Sequence, residues 1–122
     1  VAAYLREGNP IAVGTDSLSS SPSLDLLADV AALYRVAREQ GYHGNDLHQR
    51  LFSAATLGGA AALGLHVGKR RIGQLGVGAV ADLASFDVPT HDADVALAEL
   101  VEAGAGRVTR TVVAGVARFR RG

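Results

Sequence analysis

The most constraining stretch of this chain is Ile11-Ala12-Val13-Gly14-Thr15, a continuous apolar run set between the turn Asn9-Pro10 and the polar pair Asp16-Ser17. A short run without polar alternation has the pattern of a strand buried on both faces, as in parallel sheets. Such a strand needs covering helices and strand neighbours. Residues 17 to 23 have the composition of a flexible linker, but their flanks argue otherwise. Ser21 ahead of Pro22, or Ser23 itself, predicts an N-cap, and Asp25 and Asp29 load the early helical turns with negative charge. Leu26, Val30, Leu33 and Ala37 then recur at spacings of 4, 3 and 4, with Leu27, Ala31 and Tyr34 beside them, until Gly41 ends the helix. Strand, loop and amphipathic helix in that order form the repeating unit of α/β folds.

The rest of the chain divides by texture. Val1 to Gly8 reads as a helix end stopped by Gly8. A second helix is predicted from Asn45 or Asp46, with Leu47, Leu51, Ala54 and Ala55 on one face, and Thr56 is placed to cap a third, short one closed by Gly64. From Gly68 onward the glycines 68, 73, 76 and 78 mark a turn-rich stretch, after which Ala79 to Asp87 reads as a strand. Asp94 to Glu102 is either a short acidic helix or an irregular loop. Val108 to Ala114 and Val116 to Phe119 read as strands joined by a two-residue turn at Ala114-Gly115.

Length and composition set outer limits. The 122 residues fall far short of the roughly 250 of a complete (β/α)8 barrel. The sequence starts at Val1 and contains no Met, so it is expected to be a piece of a longer protein. Zero Cys excludes disulfide frameworks, thiolate nucleophiles and Cys-based metal sites. Twelve basic and twelve acidic side chains give a formal net charge of zero, which argues against a dedicated nucleic-acid binder. No stretch approaches the ~20 apolar residues of a membrane span, and nothing at the N-terminus resembles a signal peptide, so the default setting is cytoplasmic, with no membrane partner. Charge is partitioned in the second half: residues 82 to 102 carry six acids and no Lys or Arg, and residues 107 to 121 carry five Arg and no acid. Strands with solvated faces that complement each other account for this more simply than a basic nucleic-acid tail, for which Phe119 is the only interleaved aromatic.

Asp16 is the most suggestive single residue. A carboxylate at the C-terminal end of a buried parallel strand points to the crevice where α/β enzymes bind ligands, and there it can bind a metal or act as a base. The plainer reading is an Asp whose oxygens accept backbone N–H groups in the turn. The four histidines show neither His-x-His nor His-x-x-x-His pairing, and a catalytic zinc site needs about three protein ligands. His43 and His48 are expected to be exposed, neutral surface residues. The serines form no Gly-x-Ser-x-Gly elbow, no glycine-rich phosphate loop is present, and Gly58-Gly59 in an Ala-rich helical stretch fits close helix packing.

Taken in order, the segments resemble the C-terminal part of an amidohydrolase-superfamily enzyme. Ile11-Ala12-Val13-Gly14-Thr15-Asp16-Ser17 resembles that superfamily's eighth barrel strand, and Ser23-Leu24-Asp25-Leu26-Leu27 the start of the following helix in the chlorohydrolase and aminofutalosine-deaminase branch. Ala55 to Gly64 is similar to its "AT-x-x-GA-x-ALG" segment. Arg71 to Leu75 with Gly78 to Leu83 resembles the "IG-x-L-x-x-G-x-x-ADL" return into a small β-sandwich, and Val112 to Val116 its closing hairpin. The chain departs from the pattern at Ala79, where the family often has Lys, and near Val77, where it often has an acid; residues 88 to 106 carry no motif.

The resemblance implies a fold class of α/β type: the last strand and helices of an incomplete TIM barrel over residues 1–66, then the C-terminal part of a composite β-sandwich over 67–122. It implies that Asp16 binds the catalytic divalent metal, zinc or alternatively iron, and takes a proton from the water that the metal activates. Ser17 and the loop to Ser23 would lie at the substrate rim. The family's His-x-His, its other metal-binding and catalytic histidines and its catalytic Glu have no counterpart in this sequence. The parent enzyme would hydrolyse a carbon–nitrogen bond other than a peptide bond, deaminating an amino-purine or related small heterocycle, with a homo-oligomer compatible with that role. The 122 residues alone would be inactive. The alternative is a non-catalytic module that uses the same scaffold to bind a partner.

Overall fold

Helix α2 (Leu26–Glu39) is the longest element of the chain. Its start is set by Asp25, whose Oδ1 accepts the Leu27 N–H at 3.1 Å. The cap is therefore not Ser21 or Ser23, as expected from sequence. Ser23 instead accepts the Asp25 N–H at 3.2 Å, and Asp25 uses its second oxygen to accept the Gly106 N–H at 2.7 Å. A carboxylate can serve both acceptor roles at once, which a serine hydroxyl does less well. At the other end Gly41, with φ of 81°, lets the Tyr42 N–H return to the Ala37 carbonyl and its own N–H to Arg38, a Schellman closure that buries Tyr42.

The computed structural model describes residues 1–122, and five helices and one small sheet make up the chain. Helices α1 (Ala2–Arg6) and α3 (Leu47–Ala54) pack against α2, and α4 (Leu57–Ala62) packs against α3. Residues 94 to 102, left open between helix and loop, form the helix α5 (Ala93–Ala103), because Asp92 accepts the N–H groups of Asp94 and Val95 at 2.9 and 3.0 Å. Helix α5 packs on α2 and α3, so an element from the second half of the chain completes the helical layer. Leu5, Val30, Leu47, Leu51 and Val101 are buried together in one core. Each such leucine contributes about 1.5–3 kcal/mol relative to exposure.

The sheet has the order β1-β2-β3, all antiparallel, with β1 at Leu83–Phe86, β2 at Val108–Val113 and β3 at Val116–Arg120. Strand β1 is shorter than the predicted Ala79–Asp87, because Val80 N–H bonds to the Arg71 carbonyl and Asp82 N–H turns back to the Val80 carbonyl at 2.9 Å, outside the strand ladder. The β2–β3 turn falls at Ala114-Gly115, both with positive φ (49° and 80°), the two-residue form whose twist suits antiparallel strands. Ala114 is held in that unfavourable region by Asp82, which accepts its N–H at 2.7 Å. Strand β3 is exposed throughout, and Phe86 of β1 is the sheet residue that packs against the helical core.

Three further expectations are corrected. Ile11–Thr15 is not a paired strand: its single backbone hydrogen bond is from Val13 N–H to the Ala54 carbonyl at 3.2 Å, since strand structure requires a neighbouring strand and none of these residues supplies one. Thr56 does not cap α4 with its side chain. It follows the end of α3 and donates its hydroxyl to the Phe52 carbonyl at 2.9 Å, which also accepts the Ala55 N–H at 3.2 Å. His48 is half-buried rather than exposed, because its ring stacks on Tyr34 at 4.9 Å and its Nε2 lies 3.6 Å from Glu102 Oε1. His43 is exposed, as expected. The expected charge complementarity reduces to one arginine–carboxylate pair, Arg107–Glu99 at 2.7 Å.

A candidate active-site carboxylate

Segment 11–15 is positioned by packing and by one arginine. Ile11 and Val13 pack against the helical core from one side. Below them α4 approaches so closely that a Cβ on Gly58 would lie 2.6 Å from the Ile11 carbonyl oxygen, which supports the packing role expected for this glycine. Arg50 of α3 donates to the carbonyls of Leu5 and Asn9, tying the end of α1 and the Asn9-Pro10 turn to the helical layer. Sequence reasoning missed Arg50, since nothing near it in the chain signals a partner more than forty residues away.

Asp16 stands at the end of this segment, exposed, with φ of 62°. Asp is among the few non-glycine residues that adopt this left-handed conformation at modest cost. Its carboxylate accepts one hydrogen bond, from Ser20 Oγ to Oδ2 at 3.0 Å, and Oδ1 has no protein donor. The backbone N–H groups of the turn do not go to the carboxylate; those of Ser20 and Ser21 go to the Ser17 carbonyl at 3.1 and 2.9 Å. Ser17, placed at the substrate rim from sequence, is half-buried, with its hydroxyl 2.7 Å from Ser19 Oγ. Ser20 was not singled out; the signal that could have found it is an Asp and a Ser four residues apart across a tight turn.

No group of three or more His, Cys, Asp or Glu side chains comes together anywhere in the chain. The donors present fit one ligand position on a divalent ion, the free Asp16 oxygen, and not a complete site. Two clefts flank segment 11–15. One is apolar, lined by Tyr4, Ile11, Val13, Leu33 and Leu51, and the other is bounded by Asn9, Arg50, Ser53, Leu57 and His66; neither includes Asp16.

The sequence model of the amidohydrolase family matches residues 1–118. This chain belongs to the amidohydrolase family. The amidohydrolase resemblance drawn from the motifs is thereby borne out. Two curated relatives are named 5-methylthioadenosine/S-adenosylhomocysteine deaminase. The one from Desulfovibrio desulfuricans is 33% identical over 94% of this chain and 26% of its own length. The one from Moorella thermoacetica is 36% identical over 93% of this chain and 27% of its own. Among solved structures, an adenosine deaminase from Xanthomonas campestris with bound zinc superposes with a TM-score of 0.78 at 32% identity, over 98% of this chain and 28% of that one. A triazine hydrolase variant superposes with a TM-score of 0.68 at 26% identity, over 93% of this chain and 26% of that one. The chain thus spans about a quarter of the length of these relatives.

Proposed function

We propose that this amidohydrolase chain forms the C-terminal part of a metal-dependent hydrolase that deaminates an amino-purine nucleoside or a related small amino-heterocycle. The observation that carries the reading is the Asp16 carboxylate, exposed at the end of the apolar segment 11–15 with one oxygen free, in a chain that superposes over 98% of its length on a zinc-bearing adenosine deaminase. Segment 11–15 is then the last strand of a barrel, paired once the rest of the enzyme lies beside it, and residues 67–122 contribute to the adjoining sandwich. A divalent metal, zinc in that structural neighbour, would supply an acidic water near neutral pH. Asp16 would hold one ligand position and accept a proton as water adds to the ring carbon bearing the amino group. Ammonia is the leaving group. Ser17 would lie beside the substrate.

The test uses the complete reading frame that carries this chain, with ammonia release measured from adenosine, 5-methylthioadenosine and S-adenosylhomocysteine. Asp16→Asn is expected to lower turnover about 100-fold or more, the scale of removing an acid–base group, and to weaken zinc retention while leaving the far-UV spectrum unchanged. Wild-type turnover with full zinc content in that variant would overturn the reading.

A further inference from the structure

We propose that Ser20 is a positioning residue for the Asp16 carboxylate, and that Ser17 and Ser19 stand behind it as a directed chain of hydroxyl donors. The inference rests on the assignment of Asp16 made above. It starts from three distances: Ser19 Oγ to Ser17 Oγ is 2.7 Å, Ser17 Oγ to Ser20 Oγ is 3.2 Å, and Ser20 Oγ to Asp16 Oδ2 is 3.0 Å. Each hydroxyl has one proton to donate, and an ionised carboxylate only accepts. The Ser20 proton therefore goes to Asp16, leaving Ser20 to accept from Ser17 and Ser17 to accept from Ser19. Only this order makes all three links.

The Ser17 carbonyl, 3.2 Å from Ser20 Oγ, is the competing acceptor for the Ser20 proton. It already receives the N–H groups of Ser20 and Ser21, and a carboxylate attracts a hydroxyl proton more strongly than a carbonyl does. Each donor in the chain orients the next, so the hydroxyls share one direction towards Asp16. The terminal torsion of an aspartate is broad and roughly two-fold, so an exposed carboxylate otherwise interchanges its oxygens. Ser20 fixes Oδ2 and leaves Oδ1 for the ligand. The main-chain bonds to the Ser17 carbonyl close the turn without any hydroxyl, so Ser20→Ala keeps the loop and removes only the donor.

The experiment compares Ser20→Ala, Ser20→Thr and Asp16→Asn in the complete reading frame, reading zinc retention against a chelator, kcat and KM. Ser20→Ala is expected to retain zinc on the order of tenfold less tightly and to lose kcat by a similar factor, with KM nearly unmoved, as for other groups that orient a metal ligand. Ser20→Thr, which keeps the hydroxyl, should restore both. Ser20→Ala with full zinc retention and turnover, beside an Asp16→Asn variant that has lost them, overturns the positioning role and leaves the function intact. If Asp16→Asn also keeps both, the functional reading falls and this inference with it.

Discussion

The helical layer and the three-stranded sheet are built from the same chain but reach order by different means. The helices satisfy their own backbone groups, and each needs only one apolar stripe covered; Leu51 and Val101 at 0% exposure show how completely they cover one another. In the sheet, strand β3 is exposed along its whole length and Phe119 keeps 44% of its surface in water. There the order comes from the ladder, from the turn at Ala114-Gly115 and from Asp82, which holds that turn from outside the hairpin. A segment can thus be regular while burying little, provided its polar groups are paired. Segment 11–15 is the converse, apolar but unpaired, and it is extended without becoming a strand.

Four substitutions test that contrast by urea unfolding of the chain. Leu51→Ala should have the largest effect, about 2–5 kcal/mol, because it opens a cavity in the shared core. Gly58→Ala follows at about 1–3 kcal/mol, since the added carbon meets the Ile11 backbone oxygen and forces α4 away from segment 11–15. Hydrogen exchange at Val13 N–H, bonded to Ala54, should rise in that variant. Asp25→Ala should cost about 1–2 kcal/mol, as it removes the α2 cap and the link to Gly106 together. Phe119→Ala should change stability by no more than about 0.5 kcal/mol, as for a surface position. A Phe119 effect equal to that of Leu51 would mean that the sheet carries a core of its own, and the contrast would fail.

What could be read from the sequence followed from local rules. Helix α2 and its stop at Gly41 depend on spacing and one left-handed glycine, and the hairpin turn depends on two adjacent residues, so both were legible. The Asp25 cap was not, because its advantage over Ser23 lies in Gly106, 81 residues away. Burial of His48 was hidden for the same reason, being created by Tyr34 on α2 and Glu102 on α5. The apolar run 11–15 was legible as chemistry and misleading as structure, since pairing belongs to two segments and a sequence displays one. At the candidate site the position of Asp16 could be read from the end of that run. The route of the Ser20 proton needed three oxygen–oxygen distances.

Helix α5 separates strands β1 and β2 in the chain yet packs against helices that precede both. This arrangement has a consequence for the order in which the molecule can be made. As the polypeptide leaves the ribosome, α2 and α3 emerge with the apolar flank that α5 covers still open to water. That flank closes only when Val101 has emerged, and β2 and β3 follow it. Biosynthesis therefore leaves this helical layer unfinished until residue 101 is made, and a pause just before it would hold the nascent chain with apolar surface exposed.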